Sequence, residues 1–366
     1  MPPTAPTIDF SRARAVLGDA IAARAFPGCA FGVFSAGQPV LVDGLGRFTY
    51  EPDSLPVQPD TVYDVASLTK VIVTTALAML LHQQRQLDLE QPLGDLLPGF
   101  VVGRESGSAA RRVTLRHLLA HNSGLPGYVE FFRTTNTPAA LFRTCIELPL
   151  EAEPGTRAEY SDPGFILLGK ALEVLKHEYL SPWGSRELFE PLGMTLTSFC
   201  PPPAAQALIP PTEEDSTFRM RRIQGEVQDE NACVLKGAAG HAGLFSNVPD
   251  LLLFAAEILA AARGAGCLFD ALTIELFSQR QVPPASCRAL GWDTPSPNSS
   301  AGHHFSPHSI GHLGYSGCSL WIDLDAHIAV VLLTNRTWPD RKSQLIREVR
   351  PAFHDAIREE LGTATL

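Results

Sequence analysis

Ser67-Leu68-Thr69-Lys70-Val71-Ile72-Val73 opens an apolar run that continues through Ala76, Leu77, Met79 and Leu80. A Ser and a Lys three residues apart on a helix share one face, about 5–6 Å apart at Cβ, so an amine and a hydroxyl can meet. If burial or a neighbouring charge keeps the amine neutral, it can take the hydroxyl proton and activate a weak nucleophile. Taken alone, the tetrapeptide also fits a solvated lysine. Working outward, the question is whether the rest of the chain supplies what such a dyad needs.

The chain has 366 residues, 45% of them hydrophobic. That is enough for a full core in one large or two interleaved domains. A formal net charge of -10 and the lack of any Lys/Arg run argue against an electrostatic grip on nucleic acid or anionic lipid. A small-molecule or cell-wall partner fits better. Residues 1–6 lack a basic n-region and an apolar h-region, and the apolar stretches 71–81 and 251–254 are shorter than a bilayer span. The expectation is a soluble cytoplasmic protein without membrane contact, exported only if a leader was trimmed. Seven cysteines, at 29, 145, 200, 233, 267, 287 and 318, are odd in number and lack C-x-x-C or metal-ligand spacing, which suits a reducing compartment. Cys318 reads as a buried spectator.

Residues 9–26 read as an amphipathic helix through Ala13, Leu17, Ile21 and Ala22, stopped at Pro27-Gly28. Residues 29–34 and 39–42 then form strand, turn, strand. Near the other end, 319–323 and 328–333 form a second strand pair before a last helix at about 343–361. Between them, residues 67–290 are mostly helical, with helices expected at 69–84, 114–120, 163–174 and 249–262. The fold class expected is α+β: a sandwich whose antiparallel sheet comes from both termini, carrying an inserted all-helical lobe. Residues 1–66 together with 291–366 would form the sheet domain and 67–290 the helical lobe, with a site in the cleft between them. Residues 288–305 read as a polar loop re-entering the sheet.

Two more constellations supply what Ser67 and Lys70 need. Tyr160-Ser161-Asp162 precedes a helix entered through Pro163; a tyrosine there can point its phenol into a cleft, where a nearby ammonium favours proton transfer. Gly311-His312-Leu313-Gly314-Tyr315-Ser316-Gly317 precedes the strand through Trp321. Glycines at a strand margin admit close approach of a ligand, and an edge N–H there can form half of an oxyanion hole.

The order Ser67-x-x-Lys70, Tyr160-x-Asp162, His312-x-Gly314 resembles the serine β-lactamase and penicillin-binding-protein superfamily, in its class C-like and esterase branch. The stretches 114–126 and Glu190-Pro191-Leu192-Gly193-Met194 resemble that branch too, and the likeness covers nearly the whole chain. It implies that Ser67 attacks a carbonyl and that Lys70 and Tyr160 handle its proton. It implies also that Asp162, His312 and Gly314 line the cleft, and that the N–H groups of Ser67 and Tyr315 hold the oxyanion. An acyl-enzyme would form and water would release it, with Tyr160 the favoured base for release; the base in acylation stays open between Lys70 and Tyr160. No cofactor and no metal are expected.

Two departures bear on substrate. Relatives acting on β-lactams or D-alanyl peptides mostly carry Asn at the position of Asp162 and Ser or Thr at that of Leu313. Leu313 offers no donor to a substrate carboxylate, and an ionised Asp162 would repel one, so β-lactamase and D,D-carboxypeptidase activities are the less favoured readings. Residues 225–232 and 237–246 look like a subgroup associated with glucosaminidases of muropeptide recycling, some members being N-acetylmuramoyl-L-alanine amidases. That subgroup shares Tyr-Ser-Asp but usually has His in place of Gln228. Asp229, Glu230 and His241 are secondary site candidates, the two acids as amide binders or as caps of a buried loop. The expected function is a serine hydrolase acting on a muropeptide amide, with a broad carboxylesterase as runner-up and a non-catalytic binding module as the outlier. His117 and His121 read as loop anchors and His303, His304 and His308 as solvated. Neither a G-x-S-x-G elbow nor a phosphate-binding glycine loop occurs.

Overall fold

The computed structural model describes residues 8–283 and 286–363; the leader-free reading of residues 1–6 lies outside them. Among the described residues ten strands occur in chain order: β1 (Gly28–Ser35), β2 (Gln38–Gly46), β3 (Tyr63–Asp64), β4 (Ser198–Phe199), β5 (Glu213–Asp215), β6 (Arg221–Ile223), β7 (Leu244–Ser246), β8 (Ser309–Leu313), β9 (Ser319–Asp323) and β10 (Ile328–Thr334). The main sheet is antiparallel in the order β2-β1-β10-β9-β8. It is drawn from both ends of the chain, as expected.

The period-2 alternation of side chains explains how this sheet carries two cores. Cys29, Phe31 and Val33 of β1, with Val330 and Leu332 of β10, face the helices Ser11–Ala22 and Ile346–Thr363, meeting Leu17, Phe353 and Ile357. Ala30, Ala329, Val331 and Leu333 face the opposite way, into the larger core shared with the helix Val248–Ala262. That helix lies close because residue 32 is glycine: a Cβ there would sit 2.4 Å from Val248 Cγ1. Strands buried on both faces read as continuous apolar runs, which is why β1 and β10 stand out in the sequence.

The segment 67–290 is mostly helical, with helices that include Leu115–Leu119, Asp162–Lys176 and Val248–Ala262. It also holds short strands that the sequence did not signal: β7 and β4 form a three-stranded sheet with β3, which lies just before the segment, and β5-β6 form a ribbon. Two or three residues are too few to show alternation. The Ser67 run is not one regular helix either. Ala66–Leu68 is 3-10, Lys70–Thr75 is wound as a π-helix, and Ala76–Gln83 is α-helical. Ala66–Gln83 is long and apolar enough to cross a membrane by composition, but 83% of it is buried inside the protein. Here it is the central core helix.

Candidate active site

The turn carrying Ser67 is pinned to β7 by three ties. Asp64 pairs with Phe245 of β7, Val65 donates its N–H to Leu244 C=O at 3.0 Å, and Thr69 Oγ1 accepts the Leu244 N–H at 3.1 Å. Ala66, with φ 48°, holds a left-handed conformation uncommon for a residue with a Cβ. From the sheet side, Gly314 closes on the same turn, since a Cβ on it would lie 2.5 Å from Val65 O.

Lys70 lies beneath Ser67, completely buried. Its Nζ donates to Ser67 Oγ at 3.1 Å, to Asp162 Oδ1 at 2.7 Å and to the His241 carbonyl at 2.9 Å. These three acceptors use all the donors of an ammonium. Burial alone would push the lysine down, but Asp162 and then Tyr160 outweigh it, and its pKa is raised. The condition for a neutral amine, set out from the sequence, is not met: Asp162, 92 residues away in the chain, keeps Lys70 charged. The same ion pair corrects the expectation that Asp162 repels anionic substrates, because its charge is matched.

Tyr160 stands over the lysine, with Lys70 Nζ 4.8 Å from its ring centroid. Lys70 and Ser67 both act on its phenol in the direction of the ionised form. Burial raises its pKa; the Lys70 ammonium opposes that and Asp162 adds to it. His121 lies against one side, ring centroids 4.7 Å apart, and His312 at 5.8 Å. His121 Nδ1 accepts the Ser161 N–H at 3.0 Å, and His312 Nδ1 donates to the Leu313 carbonyl at 2.8 Å. Burial, with the nearby Arg288 and Lys70 cations, keeps both imidazoles well below their usual range. They are neutral walls for the phenol. His117 caps its helix through Thr114, so both histidines of that stretch are anchors.

The secondary candidates are more tied up than expected. Asp229 Oδ1 accepts the Ala232 N–H at 2.7 Å and bonds His241 Nε2 at 2.9 Å, and Glu230 pairs with Arg341 at 2.8 Å. Both still face the cleft. His241 contributes its carbonyl, not its ring, to the lysine. The Tyr315 N–H, expected at an oxyanion hole, is taken by no main-chain carbonyl among the described residues. Cys318 is buried, and burial pushes its thiol up to about 11. Among the described residues no His/Cys/Asp/Glu group is placed to hold a metal.

Ser67, Tyr160, Asp162, Asp229, Glu230, His312, Gly314 and Tyr315 line one cavity of about 1130 Å³, so the structure brings the expected residues together, with Lys70 and His241 beneath the floor. Sequence reasoning missed Arg288, whose guanidinium lies 5.3 Å from the Tyr160 centroid. It also missed Arg336, Arg341, Arg347 and Arg350, which line the same cavity. Arg336 Nε donates to Tyr315 C=O at 2.8 Å, and Arg350 donates to the Gly314 and Cys318 carbonyls at 2.7 Å each. Arg341 is neutralised by Glu213 and Glu230. Among the described residues Arg336, Arg347 and Arg350 have no carboxylate partner. Burial lowers the pKa of Arg336, and repulsion from Arg347 and Arg341 adds to that. A lone arginine in a loop carries no motif, and only the fold gathers these.

A family model described as Beta-lactamase matches residues 13–351. The chain belongs to the beta-lactamase family. Within it, the chain is 30% identical over 312 residues to the N-acetylmuramyl-L-alanine amidase of Bacillus subtilis (strain 168), covering 75% of this chain and 68% of that protein. It is 28% identical over 303 residues to a Salmonella typhimurium (strain LT2) protein provisionally named a D-alanyl-D-alanine carboxypeptidase, with 76% and 70% covered. Among solved structures it shares its fold with EstCE1, a hydrolase with promiscuous acyltransferase activity, at a TM-score of 0.77 and 22% identity over 95% of this chain and 98% of that one. This beta-lactamase-family chain is a serine hydrolase of the beta-lactamase and penicillin-binding-protein type.

Proposed function

We propose that the chain hydrolyses the amide joining a muramoyl lactyl group to the first residue of a peptide, with Ser67 as nucleophile. One observation carries the reading: Lys70 is held as an ammonium between Ser67 and Asp162, at the floor of a cavity whose lining also includes Arg336 and Arg347, neither with a carboxylate partner among the described residues. A muropeptide suits both ends of that cavity. Its amide reaches Ser67, and the carboxylates of its peptide meet Arg336 and Arg347. The amidase of Bacillus subtilis supports the substrate class.

The proton path follows from the charges. Lys70 is protonated and has no lone pair to offer, so the Ser67 proton passes to Tyr160 in its phenolate form, a minor fraction that grows with pH because the phenol's pKa is raised. Lys70 stabilises that phenolate and compensates its charge. Ser67 Oγ bonds to the carbonyl carbon, and the oxyanion is held by the Ser67 and Tyr315 N–H groups. Tyr160 returns the proton to the departing amine as the C–N bond breaks. Water then attacks the acyl ester with Tyr160 again as base, and Ser67 recovers its proton.

The test compares release of L-alanyl-D-isoglutamine from N-acetylmuramoyl-L-alanyl-D-isoglutamine, hydrolysis of p-nitrophenyl acetate, release of D-alanine from a D-alanyl-D-alanine peptide, and nitrocefin turnover, with Ser67→Ala as blank. Turnover of the muramoyl dipeptide well above the others is expected. Turnover of esters alone would replace the amidase reading with the carboxylesterase one.

A further inference from the structure

Asp64 takes no part in the proton path, yet it links the segments that build the site. It is 2% exposed. Its Oδ1 accepts the Ala66 N–H at 2.8 Å and its Oδ2 accepts the Gln228 N–H at 2.7 Å. Its main-chain carbonyl accepts Ser316 Oγ at 2.8 Å. Each tie leads to a working part. Ala66, in its left-handed conformation, is the residue before Ser67. Gln228 leads into Asp229, which bonds the ring of His241, whose carbonyl fixes Lys70. Ser316 follows Tyr315 in the turn after β8.

We propose that Asp64 is the positioning residue of this site: its ionised carboxylate, accepting two backbone N–H groups at once, holds the Ala66–Ser67 turn against the 228–230 loop so that Ser67 meets Lys70 and Tyr160 in reactive register. The inference rests on Ser67 being the nucleophile. The anion is the strongest acceptor for both N–H groups. Protonation weakens one of the two oxygens as an acceptor and an amide turns a donor toward one N–H, so in either case the left-handed Ala66 is held less firmly.

The charge is held at a cost. Burial pushes Asp64 up to about 6, with Asp229 adding to the rise and Arg219, together with the two N–H bonds, opposing it. The other titratable groups against it are Cys318, whose Sγ lies 3.8 Å from the Asp64 carbonyl, and Tyr63 beside it on β3. With the folded pKa above the ordinary 3.8, proton-linked stability is fully present below about pH 4 and is lost as pH rises through about 6. Reactivity moves the other way over that window, because it needs the anion. A residue that only held the fold together would not separate the two.

The test is the rate of covalent labelling of Ser67 by a fluorophosphonate probe from pH 5 to 9, with thermal unfolding measured in parallel. In the wild type the logarithm of the rate should rise with unit slope from Tyr160 ionisation and steepen below about pH 6, where Asp64 takes up a second proton. Asp64→Asn, if folded, should label about 10²-fold more slowly at pH 7.5 and keep unit slope throughout. If that variant does not fold, the wild-type profile decides alone. Steepening with unchanged circular dichroism supports the proposal, and one unbroken slope overturns it. Wild-type-like labelling by folded Asp64→Asn also overturns it. A wild type that labels at no pH removes the nucleophile itself, and both readings fall together.

Discussion

Lys70, at the floor of the cleft, is completely buried and every one of its donors has an acceptor. At the rim, Tyr128 and Tyr315 are 48% and 50% exposed, and Arg347 is exposed without a carboxylate partner among the described residues. The floor is finished before any substrate arrives; the rim has bonds still to make. Chemistry that depends on the protonation state of a lysine needs the first arrangement, since a charge buried without partners would neutralise. Selection of an anionic peptide needs the second. The contrast implies that floor substitutions change turnover for every substrate, whereas rim substitutions change affinity for charged ones.

Lys70→Met is the harshest way to break that contrast. It strands the Asp162 carboxylate and should cost about 3 kcal/mol of stability, read by chemical denaturation. It should also abolish turnover of esters and amides alike. A variant that stays active would show that the ammonium is dispensable. Tyr160→Phe keeps the packing against His121 and removes the base, so kcat should fall by about 10²–10⁴-fold. The pKa of Tyr160 is raised, so wild-type kcat/KM should climb with pH across the neutral range, and the variant should lose that climb. A flat wild-type profile would point to another base. Arg347→Ala is the mildest change. KM for the muramoyl dipeptide should rise about fivefold, the effect of one exposed charge contact of about 1 kcal/mol, while p-nitrophenyl acetate hydrolysis is unchanged. Equal loss on both substrates would erase the difference between floor and rim.

The same contrast explains what could be read in the sequence. β1 and β10 announce themselves because burial on both faces leaves unbroken apolar runs between turns. β8 does not, because Ser309-Ile310-Gly311-His312-Leu313 mixes small and polar residues at a sheet edge. Ser67, Lys70, Tyr160 and Asp162 were legible as local patterns in a fixed order. The charge state of Lys70 was not, because it depends on a carboxylate that arrives only when the helix Asp162–Lys176 packs against Lys70–Thr75. Arg288, Arg336 and Arg347 come from separate loops and the start of the last helix, and no spacing relates them. Asp64 stands two residues before Ala66 in no motif, and its role depends on the Gln228 N–H that only the fold brings to it.

The most direct measurement is intact-mass analysis followed by peptide mapping after incubation with a fluorophosphonate. A single adduct on Ser67, absent from Ser67→Ala and slow to form in Tyr160→Phe, is the predicted result. No adduct, or an adduct on any other residue, would contradict a serine nucleophile at the floor of this cleft.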